Sequence, residues 1–313
     1  MTFETRCSLA MSAPSTLSRL SRVAQTDAVA DDLDSARASA RERRRVLVFV
    51  LRVALAVFIV GSWELTTRLG CTGPDSGTCV VDPFFFGQPS GIWRQLVRWV
   101  QTGTAQGPLW EQITVTLEET VIGFAIGVIL GIIFGVALGR NRLLSDVLGP
   151  YIKAMNAMPR VVLGSIFTIA LGLEMPSKVA LAVVLVFFVV FFNAFQGVRE
   201  VDRDLLANAR ILGASHGQLS RHVILPSALS WILASLHTSF GFALVGAIVG
   251  EYLGARKGIG LMIATAQGTF NANGVFAAMF ILAVVAVIAE ALVTRLEGFL
   301  IKWRPNAIID VTI

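Results

Sequence analysis

A polytopic α-helical membrane protein is the fold class that the sequence predicts, and three observations predict it. Hydrophobic residues make up 55% of the 313-residue chain and charged residues only 15%, against about 25% in an average soluble domain. Mean hydropathy is +0.71. The apolar residues fall in long continuous runs, whereas a membrane β-barrel reads as short alternating segments. A soluble globule of this length has too little interior to hide so much apolar side chain. Disorder of the whole chain needs the opposite composition. The net charge of +5 comes from basic residues that bracket the apolar runs. The expected partner of that charge is therefore the lipid bilayer and not nucleic acid, since no basic face is interleaved with aromatics.

Residues 1–45 form a region of their own, with eight arginines, no lysine and six acids among Ser, Ala and Thr. The composition predicts a solvated, disordered cytoplasmic tail. Its arginines are spread out and no apolar core follows before Val46, so it does not read as a cleavable signal. The membrane domain is expected over 46–313. A spanning helix needs about 20 apolar residues, and six segments meet or approach that. They are Val46–Trp63, with Arg52 near enough to an end to snorkel; Thr120–Gly139; a third starting near Tyr151, running to Leu173 and carrying Arg160; Val179–Val198; Val223–Gly250; and a last helix from about Val275 to Ile301. The stretch Gly258–Gly274, rich in Gly, Ala, Asn and Thr, is expected to precede that last helix.

Lys and Arg accumulate on the cytoplasmic side. With both termini inside, the inner segments hold nineteen basic residues and the outer segments six. Six spans with cytoplasmic termini give the sharpest bias. Cys71 and Cys79 then share the external loop between Leu65 and Gln112, where a disulfide is expected; two separate free thiols are the alternative. No cysteine stands in metal-ligand spacing with a histidine.

Catalytic signatures are missing. The chain has no Gly-x-x-x-x-Gly-Lys-Ser/Thr phosphate loop, no His-Glu-x-x-His and no Cys-x-x-Cys, so no enzyme activity is expected of it. What it does carry is Gly123, Gly127, Gly131, Gly135 and Gly139, one glycine every fourth residue of the second span. On a helix these form a stripe without side chains. In lipid such a stripe lets two backbones approach closely, either within the chain or across a dimer.

The second feature is the inside segment Arg199–Pro226. At 28 residues it is far longer than an ordinary helix–helix turn, and Leu205, Leu206, Ala209, Ile211 and Leu212 lie among its charges. Gly213 is placed to stop one short helix, Ser215 to cap the next, and Pro226 to open the fifth span where its missing N–H costs little. Two short helices on the cytosolic face would make a docking element. Polar residues within the spans are few. Asn193, His237, Thr238 and Glu251 are the candidates to line a pathway. For Glu251 the plainer reading is a carboxylate at the membrane interface that sees water. Glu290 is expected to pair within the bundle, with Arg295 nearby.

On these residues the long inside segment resembles the EAA loop of binding-protein-dependent ABC transporter permeases. The family pattern is Glu-Ala-Ala, three residues, Gly, nine residues, an aliphatic, one residue, then Leu-Pro. Here it reads Ala207-Asn208-Ala209, Gly213, Val223 and Leu225-Pro226. Every spacing matches, and two identities depart, at Ala207 and Asn208. Further stretches, Asp146–Pro150, Ala157–Pro159, Pro176–Lys178, Asn193–Asp204 and Gly250–Leu261, resemble the nitrate/sulfonate/taurine branch, so the likeness covers roughly 110–304. It implies a type I importer permease in the bacterial cytoplasmic membrane. It further implies a second permease chain in a homodimer, ATP-binding subunits docked on Ala207, Asn208, Ala209, Gly213, Ala214, Ser215, Leu225 and Pro226, and an extracytoplasmic solute-binding protein. ATP and Mg would be held by the partner ATPase, leaving this chain without a cofactor. Small anions such as nitrate or sulfonates, or vitamin precursors, are the substrates implied. A secondary transporter and a membrane scaffold without an ATPase partner are the competing readings. The former would need internal repeats or midplane helix breaks, and the halves show no repeat.

Overall fold

The computed structural model describes residues 43–68, 82–201, 207–209 and 211–300. The N-terminal tail, Cys7 and both Cys71 and Cys79 lie outside the described residues. The chain divides into two compact units, Met1–Leu65 and Thr66–Ile313. Of the first, the described part is residues 43–65 of helix α1 (Arg43–Arg68), a helix long and apolar enough to cross a membrane and with none of its most apolar window buried.

The second unit begins with two helices that hydropathy did not reveal. A single turn, α2 (Pro83–Phe86), is capped by Asp82, whose Oδ1 accepts from the Phe84 N–H at 2.8 Å. The amphipathic helix α3 (Pro89–Thr102) follows, with Pro in its first turn and Trp99 buried. Then comes α4 (Leu109–Arg140), 32 residues long. At 1.5 Å per residue it measures about 48 Å, well beyond ~30 Å of hydrocarbon. Its first three turns thus carry Gln112, Thr116 and Glu119, ahead of Thr120, where the sequence placed the start of the span.

The expected third span is not one helix. It consists of α5 (Arg142–Ala157) and α6 (Arg160–Leu171), bent by 88° at their junction. Pro159 supplies the reason, since it disfavours helical backbone at Met158 before it, and Met158 is extended with ψ 141. Helix α7 (Met175–Arg199) is the centre of the unit and is buried along much of its length. Within the inside segment a short turn α8 (His216–Leu219) leads through a π turn, Ser220–Ile224, into α9 (Leu225–Leu253).

The Gly/Ala/Asn/Thr-rich stretch expected to precede the last helix contains α10 (Ile259–Gly268), and the last helix α11 (Ala272–Leu300) starts earlier than predicted. Five described helices are long and apolar enough to cross a membrane, six if the bent pair counts as one. Helix α10 is too short to cross. Its Ile259 and Met262 enter a core with Trp99 of α3 and Ala277, Ala278, Ile281 and Val285 of α11.

Candidate functional site

The inside segment is built from capping chemistry. The Leu212 N–H donates to the Asn208 carbonyl at 3.1 Å and the Ala214 N–H to the Ala209 carbonyl at 3.0 Å. Gly213 lies between them with φ +80. This is the Schellman ending, in which the residue past the helix is left-handed and glycine adopts it without strain. A new start follows at once. Gln218 N–H donates to Ser215 Oγ at 3.4 Å, and the Ser215 N–H to Gln218 Oε1 at 2.9 Å, a reciprocal capping box. The π turn falls on the residues just before Pro226, which has no N–H to return to the preceding turn. Ile211 and Leu212, at 82% and 86% exposure, crown the first turn. A side chain at Gly213 would meet nothing within 4 Å. Two aliphatic side chains thus stand out on a hydrogen-bonded turn with clear space beside them. The sequence expected two short helices here, and the described residues are helical at 207–209 and 211 before Gly213 and at His216–Leu219 after it.

The five glycines of α4 all face α7. A Cβ at Gly123 would stand 2.5 Å from Ala182 Cβ, at Gly127 2.7 Å from Val186 Cβ, and at Gly131 2.8 Å from Val190 Cβ. Gly135 meets Ala194 Cβ at 2.7 Å and Gly139 meets Val198 Cβ at 2.8 Å in the same sense. The partner stripe, Ala182, Val186, Val190, Ala194 and Val198, also advances by four. The contact is thus one i±4 row lying against another. This second stripe was legible in the sequence and was missed because its members are not all small.

The four pathway candidates separate. Asn193 spends its amide on its own helix, donating to the Val189 carbonyl at 2.8 Å. His237 of α9 faces Glu290 of α11, Nε2 to Oε1 2.9 Å, with side chains 44% and 60% exposed. Glu290 is therefore paired across helices and not with Arg295 of its own. Thr238, next to His237, is exposed on the same helix. Glu251 is a correction. Far from seeing water at an interface, it is 0% exposed. Its Oε1 accepts from Thr116 Oγ1 at 2.6 Å and its Oε2 from the Gly260 N–H at 2.6 Å.

Around Glu251 lies a buried polar group that sequence reasoning did not find. Gln112 Oε1 accepts from the Gly258 N–H at 2.8 Å, and Thr116 Oγ1 from the Ile259 N–H at 3.0 Å. Lys178, fully buried at the start of α7, donates to the carbonyls of Leu173 at 2.5 Å and Glu174 at 3.1 Å. Glu119 is buried beside Glu251 and Lys178, and its Oε2 accepts no hydrogen bond from the described residues. A separate apolar groove of about 1070 Å³ runs between α3, the start of α4 and α11, walled by Trp93, Trp110, Val284 and Ile288. With so few polar groups it suits hydrocarbon better than a polar solute.

Residues 127–302 match the family described as the binding-protein-dependent transport system inner membrane component. SsuC of Bacillus subtilis, named for aliphatic sulfonates transport, is 34% identical over 199 residues, which are 63% of this chain and 72% of that protein. RibX of Chloroflexus aurantiacus, the riboflavin transport system permease protein, is 34% identical over 202 residues, 64% of this chain and 75% of the relative. In three dimensions, a chain from the crystal structure of an amino acid ABC transporter with histidines matches with a TM-score of 0.50 at 20% identity, over 60% of this chain and 90% of that one. A membrane bundle with an EAA-spaced turn, matched to this family over more than half its length, is thereby placed: the chain belongs to the binding-protein-dependent transport system inner membrane components, the multi-pass permeases of ABC importers in the bacterial plasma membrane.

Proposed function

We infer that this permease is driven by separate ATP-binding subunits that grip the turn at 207–215. One observation carries the reading: the exposed Ile211 and Leu212 sit on an internally hydrogen-bonded turn whose Gly213 leaves the space beside it open. Exposed aliphatic pairs on such turns are what a hydrophobic cleft in a partner can hold. ATP and magnesium belong to that partner. Closing of the ATPase pair pulls the turns of two permease chains together and reverses the access of the pathway, an equilibrium between two states biased by ligand. The half-exposed His237–Glu290 pair, within the apolar helices α9 and α11, supports a face covered by the second permease chain or by pathway water, because charged groups at that depth avoid lipid. An external binding protein delivers the solute. The relatives' names span sulfonates and riboflavin, so the substrate class proposed is a small organic anion or a vitamin precursor.

The test is Gly213→Arg. A left-handed arginine costs of order 1–2 kcal/mol, too little to unfold the bundle, while the added bulk blocks the open approach. The expected result in proteoliposomes with equal permease content is normal insertion with solute-stimulated ATP hydrolysis and uptake lost. Wild-type coupled uptake by this variant would reject the role of the turn.

A further inference from the structure

The first N–H groups of a helix ordinarily find no partner within it. In α10 the N–H groups of Gly258, Ile259 and Gly260 are each taken by a side chain from another element, Gln112 and Thr116 of α4 and Glu251 of α9. A carboxylate stands at the positive end of the helix, and Thr116 links the set by donating to Glu251 while accepting from Ile259. The backbone is moulded on these groups. Gly258 has φ +119, and a Cβ there would stand 2.2 Å from the Glu251 carboxyl carbon; one at Gly260 would stand 2.4 Å from the Ile248 carbonyl oxygen. The turn between α9 and α10 is held from outside as well. Lys257 pairs with Glu111 of α4 at 2.5 Å, Arg256 pairs with Glu174 before α7 at 3.1 Å, and Tyr252 bonds to Gln267 at the far end of α10.

We propose that Glu251 is a positioning residue whose latch, made with Thr116 and Gln112, clamps the short helix α10 as a plug closing one end of the bundle, so that coupling fails when the latch is cut. Helix α10 is too short to cross a membrane, and it packs Ile259 and Met262 against Trp99 of α3 and Ala277 and Ile281 of α11. Alternating access requires one end of the pathway to stay shut while the other is open. A plug held by directed hydrogen bonds to Gln112, Thr116 and Glu251 meets that need. This rests on the importer reading above only for its transport readout.

The decisive pair is Thr116→Ser, which keeps the hydroxyl, against Thr116→Val, which keeps the shape and loses it. Glu251→Gln is a second cut. Two readouts are taken on the full assembly with its ATP-binding subunits: amide hydrogen exchange along α10, and ATP hydrolysis in proteoliposomes with and without the solute-loaded binding protein. Thr116→Val and Glu251→Gln should speed exchange of the α10 amides by about tenfold or more, leave the α4–α7 amides protected, and raise hydrolysis in the absence of binding protein. Thr116→Ser should match the wild type. Equal α10 exchange in the Val and Ser variants would overturn the latch. Faster α10 exchange with coupling intact would reduce it to a structural cap and overturn the positioning role. If no ATP-binding subunit assembles with the wild-type chain, the importer reading fails instead, and the exchange readout still decides the latch. Should Glu251→Gln fail to accumulate, the Thr116 pair carries the test alone.

Discussion

One face of α4 binds its neighbours in two different ways. Over Gly123 to Gly139 it offers backbone only, and α7 lies so close that a methyl group fits at none of the five positions without a shift. Over Gln112, Thr116 and Glu119 the same buried face offers hydrogen-bonding groups and meets α9, α10 and the start of α7. The glycine half gains contact through dispersion and close approach, which need no particular rotamer. The polar half gains direction, since each bond fixes one atom of a neighbour. The difference shows how one helix can be both a smooth packing rail and a set of anchors. It also separates failure modes: the rail is broken by added volume, the anchors by lost charge or lost hydroxyl.

The largest expected effect is in the polar half. Lys178→Met leaves Glu119 and Glu251 buried with no cation and strips the Leu173 and Glu174 carbonyls of their donor. Removing one member of a buried charged set costs about 3–5 kcal/mol, so the purified variant should unfold at clearly lower temperature or denaturant than the wild type. Unfolding indistinguishable from wild type would show that the cluster contributes little.

Next comes the rail. Gly131→Leu forces a side chain into space that Val190 already fills, and overpacking of this kind costs about 1–3 kcal/mol. Ile129→Leu is the matched control, because Ile129 is exposed. Val128, by contrast, packs near Val186 and Val190 and is no neutral site. Detergent stability should fall for Gly131→Leu alone, and equal stability of the two variants would remove the rail from the account.

The smallest effect belongs to neither half. Glu290→Gln cuts the His237 pair, whose members are half exposed in the single chain. A pair open to solvent contributes below about 1 kcal/mol. Unfolding should therefore stay unchanged while transport by the assembled importer falls. A loss of stability as large as that of Gly131→Leu would mean that the pair is structural.

Much of this was legible from residues alone, and the reason differs by region. The glycine stripe announces itself because helical contact has a fixed period, and the partner stripe on α7 obeys the same period. The EAA-spaced turn is local, so Gly213 and Ser215 could be placed as stop and cap from neighbours within a few positions. The bend at Pro159 had its local cause in plain view, yet the expected span ran through it, since the apolar run from Val161 is too short to cross and was extended back to Tyr151. The α2 and α3 helices were hidden for the opposite reason: an amphipathic segment averages out in a hydropathy window.

Composition and charge by themselves determined that the chain is a helical membrane protein, because the cost of placing apolar and charged groups in water or lipid depends on residue type and not on their partners. Period-four spacing determined which face of α4 packs, since the helix fixes that geometry before any neighbour arrives. Only the tertiary structure decided the fate of Glu251. Its partner Thr116 is 135 positions away, and the same carboxylate would be an ordinary surface charge without α4 and the first turn of α10 around it. Whether a polar group is a solvated end or a buried anchor is set by which donors surround it, and those donors come together only when distant helices pack.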